Sequence, residues 1–553
     1  MAGVALHLNI GRQVGLIAGL RWRLFVNSLR TGQAKAELVA LIVLGVLAAV
    51  IAATIGLALG VGAYLMVQKG RPQLLALLLW GVFVFWNLFP LILGAFAAQL
   101  DIRHLLRFPL RFSAYYLLSL AYGLFDPIAV ASLLWLVCMA VGLGRANPAL
   151  LPWAVLLLAA FAAMNLVLNR VIYTWLERLL SQRSTREKFF VVVILLFLLP
   201  QFIGVAVERW GKQAAPFVRA LEPVTSVLPP GVAGLGLEAA ARATPDVTTA
   251  ASGVLLLVVY AVGFALLLRR RLLNQYRGEE LGESEAPERA TPQALPAASA
   301  APFALLASFL PGPVTAMLRK EFRYMTRNGI MWINLIIPPV MALFFALTWN
   351  SPRKSSSFMA RSPELLFPMS VIYGLMVLTP IALNTFAYDG RGVLTLLAAP
   401  VRFREVLLGK NLALGLAIFA QALLIWPLLA VLVAPPGAAA VAATFALLLF
   451  AMLLNFTVGN VLSLTSPRGF DFGSFRQRQS GVTILVALLI QIVLIAIVGG
   501  AYLTHRFLGT LWIAAGIFFG LALATLPVYS AVLDYCSGLA DRRRETLTAK
   551  LCK

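Results

Sequence analysis

The sequence predicts an all-α fold, a polytopic bundle of about twelve transmembrane helices in two parallel six-helix halves. Three observations lead there. Of 553 residues, 61% are hydrophobic and 12% are charged, and that charged share is about half the ~25% of a soluble domain. The apolar residues come in long runs: residues 38–66 contain Thr54, Tyr64 and no charge, and ~20 such residues cross a bilayer as a helix. The basic residues stand in short clusters beside these runs, which is the pattern that sets membrane topology.

Apolar windows fall at 38–66, 74–98, 113–142, 150–174, 189–207 and 251–268. They resume at 330–349, 365–387, 406–433, 437–463, 481–503 and 508–533. With the N-terminus inside, cytoplasmic segments hold about 34 of the 45 Lys and Arg, and the outer loops about 11. Excess positive charge marks the cytoplasmic side, so both termini are expected there. The expected setting is a bacterial-type inner membrane, with 208–250 as an outer loop. Residues 1–35 lack the apolar core of a signal peptide and carry Arg12, Arg21, Arg23 and Arg30, so they are expected to be retained as a partly amphipathic interfacial helix.

The formal charge of +23 does not point to nucleic acid, because the cations flank membrane spans rather than line one groove. Cys138, Cys536 and Cys552 form no CxxC pair, and His7, His104 and His505 are scattered. No metal site or disulfide framework is indicated.

Residues 278–302, acidic and rich in Pro and Ala, read as a flexible cytoplasmic linker between a first half (1–277) and a second (303–553). The halves share features at nearly one offset, 291 for the loop and 290 for the residues after it. Leu106-Arg107-Phe108-Pro109-Leu110-Arg111-Phe112 matches Leu397-Ala398-Ala399-Pro400-Val401-Arg402-Phe403, and Asn165 and Arg178 fall on Asn455 and Arg468. Six spans per half give both halves one orientation, hence a parallel repeat.

The loop after each second span carries the most specific pattern: a short apolar stretch, a proline, basic residues, then a long apolar run. Pro109 and Pro400 cannot continue a helix, so each should separate a short in-plane helix from the next span. Arg111, Arg402 and Arg404 are expected at the surface, with Glu405 within reach of the last two. One reading is a positive-inside anchor; the other is a docking helix that seats Leu105, Leu106, Leu396 and Leu397 in a partner's groove.

Leu397-Ala-Ala-Pro400-Val-Arg402-Phe-Arg-Glu405-Val-Leu-Leu-Gly409-Lys410 resembles the segment of type-2 ATP-binding-cassette exporter permeases that contains the coupling helix. Arg319-Lys320-Glu321-Phe322-Arg323-Tyr324-Met325-Thr326-Arg327-Asn328 resembles that family's amphipathic elbow helix, and 21–30 is a weaker copy. Leu221-Glu-Pro223-Val-Thr-Ser-Val-Leu-Pro229-Pro230-Gly231 resembles its Pro-rich loop before the last span. The chain departs from the family in fusing two six-span units and in having only a stub near 504–509 where the first half has a long outer loop. The resemblance implies an exporter permease whose coupling residues are Leu105, Leu106, Pro109, Arg111, Leu396, Leu397, Pro400, Arg402, Arg404 and Glu405. It also implies a separate cytoplasmic ATPase, in two copies, as partner. The chain has no G-x-x-x-x-G-K-[ST] loop: Gly409-Lys410 is followed by Asn411. It is therefore expected to be no enzyme itself and to bind no cofactor, with ATP entering through the partner.

Three of the polar residues within the apolar windows are candidates for a substrate path. Asp126, before Pro127, stands mid-window and is a candidate for the substrate path, or else a hydrogen-bonded acid at a kink. Asn165 and Asn455 could line that path or bond between helices. The competing function is an ion-coupled secondary transporter of major-facilitator-like six-plus-six design, faintly echoed by Asp389-Gly-Arg391-Gly. The first-half loop has no such echo. A membrane transferase or protease would need clustered acids or histidines, and the sequence offers none.

Overall fold

The apolar runs become helices because, away from water, each backbone N–H and C=O must be satisfied within its own segment. The computed structural model describes residues 9–28, 32–92, 108, 110–179, 211, 216, 220, 223–242, 244–277, 309–327, 329–349, 365–387, 389–467, 470–471, 476–477 and 480–551. The chain divides into two compact units, each described in turn.

The first unit contains α1 (Ile10–Ser28), α2 (Gly32–Gln68), α3 (Leu75–Ile92), α4 (Phe112–Leu124), α5 (Pro127–Ala146), α6 (Leu151–Leu179), α7 (Pro229–Ala241) and α8 (Val247–Arg277). The second contains α9 (Gly312–Arg327), α10 (Gly329–Trp349), α11 (Leu366–Leu383), α12 (Val393–Ala398), α13 (Phe403–Leu432), α14 (Ala438–Thr465), α15 (Gly481–Leu508), α16 (Trp512–Arg542) and α17 (Arg544–Leu551). Apart from the two-residue strands Phe470–Asp471 and Arg476–Gln477, the regular structure is helical among the described residues. Ten helices there (α2, α3, α5, α6, α8, α11, α13, α14, α15 and α16) are long and apolar enough to span a membrane. The protein is a multi-pass, all-α membrane protein. The window at 189–207 and the linker at 278–302 lie outside the described residues.

Two expectations change. The window at 113–142 is two helices, not one: α4 ends at Leu124 and α5 starts at Pro127. Asp126 caps α5, its Oδ1 accepting the Ile128 N–H at 3.0 Å, and Pro127 at the first helical position gives up an N–H that has no partner there anyway. The supposed outer loop at 208–250 contains α7, whose Val232, Ala233, Leu237 and Ala240 are buried against α3, α6 and α8. A Cβ on Gly234 would lie 2.5 Å from the Cβ of Ala76, so α7 is packed protein interior.

Lipid supplies no hydrophobic drive between helices, so close backbone contact at small residues has to supply it. In the first unit, Gly56 and Gly60 of α2 meet Cys138 and Gly142 of α5; a Cβ on Gly142 would sit 2.1 Å from Gly60 O. Trp135 Nε1 donates to Ala52 O at 2.8 Å along the same seam. In the second unit, a Cβ on Gly459 of α14 would sit 2.2 Å from Ala382 O of α11.

The tandem Pro338-Pro339 inside α10 removes two N–H donors and orphans the carbonyls four residues back, on Asn334 and Leu335. Gln421 of α13 answers both: its Nε2 donates to Asn334 O at 3.3 Å and Leu335 O at 2.8 Å. The freed carbonyls are thus satisfied from a neighbouring helix, as apolar surroundings require.

Candidate functional site

The second-unit loop builds the most developed polar site. After α11, the chain turns through Asp389 and a 3-10 turn at Gly390–Gly392 into the short helix α12. α12 ends at Ala398, Pro400 stands in the break, and α13 starts at Phe403 with Arg402 as its N-cap residue. Glu405 lies in the first turn of α13, where a negative charge suits the exposed N–H groups.

Gly409 and Lys410 have linked tasks one turn further on. A Cβ on Gly409 would lie 2.7 Å from Met317 Cβ and 3.0 Å from Val314 O. Glycine therefore lets α9 lie directly on α13. That approach carries Glu321, one turn beyond Met317, to Lys410: Nζ donates to Glu321 Oε1 at 2.7 Å. The same ammonium pairs with Asp389 Oδ2 at 2.7 Å and donates to Thr385 O at 3.3 Å. It also stands 5.4 Å from the centre of the Phe386 ring. Lys320 closes the cluster, pairing with Glu321 Oε1 at 3.1 Å and with Asp389 Oδ1.

Two cations thus meet two anions, and the cluster is neutral as a whole. The side chains of Lys410 and Asp389 are 3% and 5% exposed. Charges this buried persist only when each is paired. Burial pushes the Asp389 carboxyl up, but Lys410 and Lys320 outweigh it and hold the group below the usual carboxylate range.

The docking side of α12 differs from the sequence expectation. Leu397 is 6% exposed and belongs, with Val393, to the unit's own hydrophobic core, and Leu396 packs against that core. Leu394, Thr395 and Ala398 face outward. The pairing expected of Arg404 also changes: it bonds to Asp534 at 2.9 Å and to Ser530 Oγ at 3.1 Å on α16, not to Glu405. The C-terminal helix α17 supports α12 from the side. Arg544 donates to Leu397 O, Arg543 donates to Thr465 O at 3.2 Å, and Leu547 is buried. Between α12 and α16 lies a cleft of about 280 Å³, lined by Leu396, Leu397, Arg402, Arg404, Asp534, Asp541 and Arg544 among others. Arg402 is exposed at its rim, and Pro400 is exposed in the break beside it.

In the first unit, Leu105, Leu106 and Pro109 lie outside the described residues. Arg111 caps α4 from an exposed position, and its backbone N–H donates to Gln13 Oε1 of α1 at 3.2 Å. Leu110 packs with Ile17 and Leu118, and its carbonyl accepts from the Tyr276 hydroxyl at 2.8 Å. The helix ahead of the first span (α1 or α9) holds the start of the third window in each unit, but here through a neutral amide. Ser119 stands at the repeat offset of Lys410.

Each of the three path candidates has its own local setting. Besides capping α5, Asp126 receives the Tyr173 hydroxyl at 3.5 Å. Asn165 accepts an interhelical bond from Asn87 of α3 at 2.9 Å and donates to Phe161 O of its own helix at 2.8 Å. Asn455 donates to Ala451 O of its own helix at 2.8 Å, and its Oδ1 has no donor among the described residues. Among those residues no group of His, Cys, Asp and Glu is arranged to hold a metal ion.

Lys410 is the residue that the loop motifs alone undervalue. It is the single charge in residues 406–434, and that isolation was the available signal. No family model, curated protein or solved structure matches this chain.

Proposed function

We propose that this chain is the membrane-spanning permease of an ATP-binding-cassette exporter, coupled to a separate cytoplasmic ATPase in two copies. It has no nucleotide site of its own and lies in a bacterial-type inner membrane with both termini in the cytoplasm. The observation that carries this reading is the buried Glu321–Lys410–Asp389–Lys320 cluster at the root of the α12 loop. It ties α9, the loop and α13 together by charge, so a push on α12 is passed to two helices instead of being absorbed by a bending loop. Its position on the segment that resembles a coupling helix gives that rigidity a use.

The cluster also favours this reading over an ion-coupled carrier. A proton relay needs a group poised near the working pH, whereas Asp389, the acid of the Asp389-Gly-Arg391-Gly echo, is held well below it by its two lysines. Affinity purification of the chain from its native membrane should bring down a polypeptide with a phosphate-binding loop. Recovery of the chain without an ATPase counts against the proposal.

Orientation has its own test. Gly234 has no room for a label, so the outer probe belongs at exposed Thr244 and the inner one at exposed Arg542. With Cys138, Cys536 and Cys552 replaced by alanine, a membrane-impermeant maleimide should label Thr244→Cys in intact cells. Arg542→Cys should react only after the membrane is opened. The reverse pattern would invert the topology.

A further inference from the structure

The face of α9 turned away from the bundle carries charge that no described residue neutralises. Val314, Met317, Leu318, Glu321 and Met325 are buried, while Arg319, Arg323 and Arg327 recur every fourth residue along another face. Side chains four apart on a helix are neighbours, and like charges at that spacing repel. Arg323 and Arg327 are exposed, Arg319 is half-buried with its Nε lacking an acceptor, and none of the three forms an ion pair among the described residues. The helix's own acid, Glu321, is spent inward on Lys410 and Lys320. Among the described residues no acid is left to serve this row, which leaves it open to an anion from outside the chain.

The surroundings say what kind. The row ends where α9 turns into the apolar helix α10, and that corner is pinned by Trp332 Nε1 donating to Thr326 O at 2.9 Å. Trp332 is 46% exposed, and Phe309, just before α9, is 85% exposed. Half-exposed tryptophan beside arginine is the composition of a membrane–water boundary. There the available anion is the phosphodiester of a lipid headgroup, which a guanidinium binds through paired N–H groups. We propose that the Arg319–Arg323–Arg327 row of α9 binds the headgroups of anionic phospholipids and anchors the second unit at the membrane surface. This inference rests on the chain being a membrane protein and is independent of the ATPase reading.

The test uses the full chain in nanodiscs of phosphatidylcholine with and without phosphatidylglycerol, with bound lipid counted after extraction. Wild type should be enriched in phosphatidylglycerol over the bulk mixture. Arg319→Gln/Arg323→Gln/Arg327→Gln should weaken that preference by roughly a hundredfold, since each basic residue near an anionic surface adds appreciably to binding. The Arg323→Gln/Arg327→Gln pair, at exposed positions, guards against misfolding and should weaken it by about tenfold or more. High salt should reduce the wild-type preference, and inorganic phosphate should not displace the lipid. The proposal is overturned if wild type shows no enrichment, if either folded glutamine variant retains it in full, or if inorganic phosphate competes as well as lipid does.

Discussion

Lys410→Met should destabilise the protein by about 3–5 kcal/mol, the range for removing one partner from a buried ion pair. The change leaves Glu321 and Asp389 as two inward carboxylates served only by Lys320, whose side chain is 42% exposed. Replacing the whole cluster, with Lys410→Met, Glu321→Gln and Asp389→Asn together, should recover much of the loss because no uncompensated charge stays buried. Thermal unfolding of the detergent-purified chain reads both. Equal midpoints for wild type and Lys410→Met would show that the cluster does not hold the loop. The pH dependence follows from Asp389. Its folded-state pKa is depressed, so its contribution is fully present above the ordinary carboxylate value and is lost as pH falls through the folded value. Stability should be flat through neutral pH, and this contribution should fail only in strong acid.

Gly142→Val should separate α2 from α5. Its Cβ would stand 2.1 Å from Gly60 O, a backbone atom that no rotamer change can move aside. The cost should reach or exceed the roughly 1–3 kcal/mol of ordinary overpacking. Trp135, bonded across the seam to Ala52 O, offers a fluorescence signal for the separation. Gly45→Val on the same α2 is the control, because nothing lies within 4 Å of its added Cβ. Matched midpoints for the two variants would refute close packing along this seam.

The spans were legible because crossing a bilayer demands length and apolarity, both of which are visible in one dimension. What escaped was how segments end and where side chains turn. Asp126-Pro127 is a cap residue followed by a first-turn proline, a helix start that an unbroken apolar window concealed. Pro229-Pro230 opens α7 in the same way, and composition alone suggested a loop. On α12, apolar residues stand at Val393, Leu394, Leu396 and Leu397, and six residues make less than two turns. No periodicity could say that Leu397 faces inward and Leu394 outward. The charged cluster was half visible. A lone lysine in an apolar run announces a partner, but Glu321 lies 89 residues away, beyond any local spacing rule.

If α12 is where a separate ATPase pushes, as proposed, its exposed Leu394 should anchor that contact. Pull-down from native membranes should recover the ATPase with wild type. Leu394→Asp should lose it by about 2 kcal/mol or more, as for a buried apolar anchor of an interface, with the thermal midpoint of the chain unchanged. Leu397→Asp should lower that midpoint instead, since its side chain belongs to the core. Arg402→Gln, on the exposed rim, should change binding by only ~0–1 kcal/mol and in a salt-dependent way. If wild type brings down no ATPase, and transport follows an ion gradient without ATP, the permease account is contradicted and the carrier takes its place.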